Sequence, residues 1–81
     1  MKIAVYSITN TLFEGEAERI IAQTPEGQIT VLDSHVPLIT RLTGPVVEIA
    51  DREGRTTAVP LSNGILDVRP ESEVVILAES V

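Results

Sequence analysis

The sequence predicts an all-β domain of about eight to ten short strands, and three observations carry that expectation. Turn formers recur along the whole chain, with glycine at 15, 27, 44, 54 and 64 and proline at 25, 37, 45, 60 and 70. That is close to the roughly 8–12-residue rhythm of strands in a sandwich or barrel. No stretch carries an apolar stripe at helical period, whereas alternation with period two is widespread. The hydrophobic share is 43% and consists mostly of Val, Ile, Leu and Ala, with one Phe, one Tyr and no Trp; β-branched side chains suit a pleated, half-buried surface.

The elements follow in order. In the opening segment Ile3 and Val5 share one face and Lys2, Ala4 and Tyr6 the other. Residues 11 to 24 read as strand, not helix, on their β-branched composition. Within them Glu16, Glu18 and Ile20 oppose Ala17, Arg19 and Ile21, which predicts one wet and one packed face. Pro25-Glu26-Gly27 is a tight turn in which glycine supplies a positive φ. Ile29 and Val31 then flank Thr30, and Val47 and Ile49 flank Glu48. Asn63-Gly64, between Ala58–Leu61 and Ile65–Val68, is a strong hairpin signal. A bulge or a strand crossing between two sheets is the competing reading, since Asn and Gly also suit such kinks. Arg69–Ser72 is a further turn. The closing run Val74-Val75-Ile76-Leu77 is apolar on both faces, which predicts a central or covered strand.

Composition bounds the function. Eighty-one residues allow one domain, spanning residues 1–81, with no internal repeat or linker. Without cysteine there is no disulfide or thiolate metal site. Twelve acids against six bases give a formal charge of −6, a surface that repels phosphate backbones, and 2% aromatics leave little on which to stack bases. Nucleic acid is thus excluded as the expected partner. No apolar run approaches the ~18 residues of a membrane span, and the first residues lack the basic start of a signal peptide. The expectation is a small, soluble, acidic domain in the cytosol.

Catalytic constellations are not found. His35 is the only histidine, with no second His, no Cys and no HExxH spacing to make a metal site of it. It could face Asp33 only if a strand continued through Ser34, so it reads as a loop or packing histidine. There is no Gly-x-Ser-x-Gly turn, and the singly scattered glycines build neither a phosphate loop nor a dinucleotide fingerprint. The acids at 14, 16 and 18 and at 71 and 73 read as solvated strand faces. No metal, no cofactor and no catalytic residue is expected. One stretch is unusual: residues 31 to 42 hold the polar trio Asp33-Ser34-His35 between apolar runs. Such a trio can satisfy its own backbone and leave a rigid polar corner, which is either a plain turn or a docking corner for another protein.

That stretch, with Glu26-Gly27 before it, resembles the ε subunit of F-type ATP synthases (δ in mitochondria). The family pattern Glu-Gly, then Gly-Ile-Leu-Pro-x-His-Ala-Pro-Leu with a following Thr and Leu, is met at Glu26, Gly27, Val31, Leu32, His35, Pro37, Leu38, Thr40 and Leu42. Leu61–Val68 is similar to the family's Ser-Gly-Gly-Phe/Ile-Leu-Glu-Val, and Val74–Glu79 to its Val-Thr-Val-Leu-Ala-Asp. Leu12-Phe13-Glu14-Gly15 fits the opening motif. Three positions depart from the pattern: Thr30 replaces a glycine, Asp33 a proline, and Asn63 the first glycine of a pair.

The resemblance implies a flattened antiparallel β-sandwich and a non-catalytic role in the central stalk. It implies a rotor subunit that links the γ subunit to the membrane c-ring, coupling proton or sodium flow to ATP synthesis. Carried over by position, Glu26, Gln28, Asp33, Ser34 and His35 face the c-ring loops, and Ser7 lies against γ. The implied location is peripheral, on the cytoplasmic face of a bacterial plasma membrane rather than an organellar inner membrane, with no insertion into lipid. Most members continue into a helical hairpin that inhibits hydrolysis and in some cases binds ATP. These 81 residues end before it, so neither activity is expected, and no C-terminal helical domain. The alternative, a free-standing sandwich binding a small ligand, needs an aromatic platform or convergent polar pocket.

Overall fold

The computed structural model describes residues 1–79 and contains eight strands. They are β1 (Lys2–Tyr6), β2 (Thr11–Glu16), β3 (Arg19–Thr24), β4 (Gly27–Leu32), β5 (Leu38–Ala50), β6 (Thr56–Pro60), β7 (Asn63–Arg69) and β8 (Glu73–Ala78). No helix occurs among the described residues. The ladder runs β2-β1-β8-β7-β5-β3-β4, with β6 also on β5. All pairs are antiparallel except β1 with β8. The expected all-β sandwich is present, and the expectation of purely antiparallel sheets is corrected at that one pair. A parallel neighbour requires a crossover. Here it is the rest of the chain, which leaves at β1 and returns seven strands later.

One continuous ladder becomes two layers because β5 passes from one to the other. Its first half, Leu38–Thr43, pairs with β7, and its second half, Val46–Ala50, with β6. Up to Leu42 the even-numbered residues point inward; beyond Gly44-Pro45 the odd-numbered Val47 and Ile49 do. The phase flips at that dipeptide, where the strand turns its inner face towards the opposite layer. Gly44 is required there, since a Cβ would run into the Leu61 carbonyl oxygen.

The inner faces share one aliphatic core. Ile3, Val5, Leu66, Val68, Val74 and Ile76 line it from one layer; Ile20, Ala22, Val31, Val47, Ile49 and Val59 line it from the other. Each Ile, Leu or Val among them contributes roughly 1.5–3 kcal/mol on burial, which gives a domain without disulfides enough to set against chain entropy. The buried polar residue Thr24 is satisfied: its hydroxyl donates to the Gly27 carbonyl at 2.8 Å and accepts the Glu26 N–H at 3.1 Å.

Two sequence expectations need correction in detail. Ile20 and Ala17 are both buried, not opposed, because Ala17-Glu18 forms a corner between β2 and β3 that resets the alternation. There the Ala17 N–H donates to the Met1 carbonyl and the Glu18 N–H to that of Ala50. Asn63-Gly64 is not a hairpin: β6 and β7 pair with opposite halves of β5, so the competing strand-crossing reading holds. Asn63 is absent from the residues with positive φ, so glycine's special conformation is not what that position uses. The turn at Pro25-Glu26 is as expected, with Gly27 at φ 127° opening β4.

Candidate functional site

The residues expected to meet the c-ring fall into two groups at the two ends of β4. Pro25-Glu26 forms the tip of the β3–β4 hairpin, closed by the pair Thr24 and Gly27. Glu26 is exposed there, and its carboxylate enters no ion pair among the described residues. Gln28, two residues on, is exposed and accepts a hydrogen bond from Gln23 Nε2 at 3.2 Å through its Oε1. Strand β4 then runs six residues, about 20 Å at ~3.4 Å per residue, before Asp33, Ser34 and His35.

That second group is a turn, with the His35 N–H donating to the Leu32 carbonyl at 3.1 Å and Ser34 at φ 65°. The two ends differ in what they do. The Ser72 hydroxyl beside the Asp33 carboxyl lowers its pKa below the usual 3.8, helped by the N-terminal ammonium, opposed by desolvation and helped least by the Ser34 N–H. Asp33 therefore faces the β7–β8 turn and the start of the chain. His35 Nδ1 lies 2.7 Å from the Val36 carbonyl oxygen, a donor position for Nδ1–H. Asp33 and His35 are engaged elsewhere and form no pair with each other, because β4 stops at Leu32.

Ser7 sits where β1 ends. Its N–H donates to the Asn10 carbonyl at 2.8 Å and its Oγ accepts the Asn10 N–H at 3.0 Å, which closes the β1–β2 loop. The register chain Tyr6 to Leu77, Gly64 to Ala78, Asn63 to Thr43 and Gln23 to Gln28 places Ser7 at the same end of the sandwich as Glu26. Asp33, Ser34 and His35 occupy the other end, beside Met1 and Ser72. At that end the Met1 ammonium donates to the Ala17 carbonyl at 2.9 Å.

A further exposed feature lies on neither end. On the outer face of the β2-β1-β8-β7-β5 layer an open groove of about 680 Å³ is floored by Ala4, Tyr6, Val75, Leu77, Ile65 and Ile39. Leu77 is 52% and Ile39 73% exposed, and Ile8, at the tip of the loop closed by Ser7, is 91% exposed. Reading the sequence for polar corners missed these residues. The signal was nevertheless present in the run Val74–Leu77, apolar on both faces. Strand β8 is central, as expected, but its outer side has no cover among the described residues. Along the same face Arg69 Nε donates to Asp67 Oδ2 at 2.9 Å, marking where the groove turns polar. No three His, Cys, Asp or Glu side chains among the described residues converge on a possible metal position, and no helix is long and apolar enough to cross a membrane.

Comparison with known proteins adds the family. The beta-sandwich domain of the ATP synthase delta/epsilon chain matches residues 1–81. An ATP synthase epsilon chain from Exiguobacterium sp. is 37% identical over 68 residues, 84% of this chain and 49% of its own length. That from Shouchella clausii is 35% identical over 81 residues, 99% of this chain and 59% of its own. The chain thus spans about half to three-fifths of these relatives. A chain in the Euglena gracilis mitochondrial ATP synthase OSCP/F1/c-ring structure superposes with a TM-score of 0.87 at 21% identity, over 94% of this chain and 48% of that one. One in the central stalk/c-ring structure from Tetrahymena thermophila gives 0.77 at 14% identity, over 98% and 63%. At those identities the likeness is one of fold. On the full-length family match and the bacterial relatives, this chain belongs to the ATP synthase delta/epsilon chain, in its β-sandwich domain.

Proposed function

We propose that the domain works as a non-catalytic rotor part of an F-type ATP synthase, holding the γ subunit and the c-ring together while proton or sodium flow drives ATP synthesis. The observation that carries this reading is the uncovered apolar face over β8 and β1. An acidic domain with a formal charge of −6 that leaves Leu77, Ile65 and Ile39 in water has a surface built for another polypeptide. Tyr6 in that groove adjoins Ser7, so γ covers the groove and reaches the Ser7 loop, where Ile8 supplies an exposed anchor.

The c-ring contact runs along β4. Glu26 and Gln28 meet ring loops from one end, and Asp33, Ser34 and His35 from the other. Because these groups are separated by the length of the strand, the ring is met along that side of the domain and not at one tip. Charge-assisted hydrogen bonds from ring arginines to Glu26 fix the register. Association is peripheral to the cytoplasmic side of the membrane. Torque transfer asks for stiffness and no chemistry, which a satisfied sandwich core supplies.

Co-expression with γ and the c-ring tests the reading. The chain co-purifies with both, Ser7→Trp weakens retention of γ, and Glu26→Lys weakens retention of the ring. A chain that elutes free of both partners under conditions where they assemble with each other contradicts it.

A further inference from the structure

Besides the Leu38–Leu42 half of β5, the ladder leaves three strands with a free edge among the described residues, β2, β6 and β4. Exposed edges are open templates for another strand, and proteins blunt them with charge, proline or bulges. Strand β2 carries Glu14 and Glu16, and its register shifts opposite Val5 and Tyr6. Strand β6 ends in Pro60. Strand β4, Gly27-Gln28-Ile29-Thr30-Val31-Leu32, has no charge, no proline and no bulge against β3. Its register also fixes which groups are free. Thr24 and Gly27 close a two-residue hairpin, so Ile29 and Val31 spend their main-chain bonds on β3. Gln28, Thr30 and Leu32 turn their N–H groups outward, and of their carbonyls that of Leu32 already accepts from His35.

We propose that this edge receives an extended segment of another subunit, which adds a strand antiparallel to β4. The inference rests on the reading of β4 as a partner-facing side and adds that the contact is made through the main chain. The chemistry of the occupant follows from the strand. Its side chains beside the inward Ile29 and Val31 are apolar, those beside Gln28 and Thr30 polar, and the one beside the exposed Leu32 apolar. A lysine or arginine lies against Glu26, whose carboxylate is unpaired among the described residues. A second copy of this chain fits poorly. Two copies bring together charges of −6 each. Antiparallel self-pairing centred on Thr30 would also set Glu26 of one copy against Ser34 of the other, next to its Asp33.

The test is amide hydrogen exchange, residue by residue, on the full 81-residue chain with the N-acetylated peptide Val-Ile-Thr-Val-Thr-Thr-Lys as probe. In the free chain the amides of Gln28, Thr30 and Leu32 exchange rapidly and those of Ile29 and Val31 slowly. Saturating peptide slows Gln28 and Thr30 by at least tenfold and leaves the β2 and β6 edges unchanged. Replacing the peptide's lysine with glutamate weakens the effect, and Glu26→Lys reverses that preference. Thr30→Pro abolishes protection; N-methylation of the peptide's first threonine, which removes the N–H facing Thr30 without altering this chain, serves in its place if the proline variant loses its circular dichroism. No slowing at millimolar peptide overturns the proposal, as does equal slowing at another edge. Protection in the free chain that grows with its own concentration also overturns it, in favour of self-pairing. If the chain still co-purifies with γ and the ring while the peptide leaves β4 unprotected, the strand-addition idea fails alone; loss of co-purification removes the reading beneath it.

Discussion

Replacing Gly64 with alanine probes the tightest point of the ladder. Gly64 lies in β7 between Leu42 of β5 and Ala78 of β8. A Cβ there would stand 2.7 Å from the Leu77 carbonyl oxygen and 3.4 Å from the Ala78 Cα, where ordinary contact begins near 3.4 Å. The difference, 3.4 minus 2.7 or about 0.7 Å, has to come from moving backbone. The β8 backbone cannot yield freely, since β1 holds its other side. Overpacking of this kind costs ~1–3 kcal/mol, and loosening one or two ladder hydrogen bonds adds about 1 kcal/mol each. Removing glycine's excess freedom in the unfolded chain returns only ~0.5–1 kcal/mol. The net loss is roughly 2–3 kcal/mol, a large share of the ~4–12 kcal/mol available to a domain of this size. At ~4–8 °C per kcal/mol, Tm falls by about 10–20 °C. Urea unfolding followed by far-UV circular dichroism measures it, with Gly54→Ala as comparison. Gly54 has φ +86° and nothing within 4 Å of the added carbon, so it loses only the ~1 kcal/mol of a left-handed alanine. A Gly64→Ala variant within about 0.5 kcal/mol of the parent would refute the close-approach argument.

The β7–β8 turn and the polar corner beside it give further outcomes. Glu71 sits at φ 67° in the β7–β8 turn, so Glu71→Gly raises stability by roughly 0.5–1 kcal/mol, the left-handed strain less glycine's added entropy; the same urea curves show it. Asp33 titrates below the usual 3.8, so its contact with Ser72 adds stability above the ordinary carboxylate range and loses it as pH falls through the lowered value. An NMR titration of the side-chain carboxyl checks the direction, and Ser72→Gly moves Asp33 back up towards 3.8. On the proposed role as a rotor part, the 81-residue chain added at stoichiometric amounts to a catalytic head leaves ATP hydrolysis unchanged; a coupled hydrolysis assay showing strong inhibition contradicts this.

Much of the fold was legible because period-two alternation states both strand and face. Ile3 with Val5, Ile29 with Val31, and Val47 with Ile49 fall on the inner side as their spacing requires. Legibility failed where the chain changes phase between strands. Nothing local marks Ala17-Glu18 as a corner, whose bonds go to Met1 and Ala50, remote in sequence. Asn63-Gly64 carries a hairpin's local chemistry, but its partners are strands that sequence adjacency does not name. The need there is room beside β8, not a left-handed backbone. The site divides in the same manner. Turn residues such as Glu26, Asp33 and His35 were visible as polar punctuation. That they lie at opposite ends of one strand is a fact of register. The apolar face was half visible in Val74–Leu77; whether a face-up apolar strand is covered depends on the sheet's neighbours, which a linear pattern does not contain.

The binding of γ to the chain and to its Leu77→Glu variant is the most direct trial of the interaction role. Leu77 is half exposed, so a carboxylate there leaves the core intact but must be desolvated beneath a partner. Isothermal titration of purified γ gives saturable binding to the parent and at least tenfold weaker binding to the variant, with both equally folded. Equal affinities, or no binding by the parent, would mean that the apolar face is not where this domain grips its rotor.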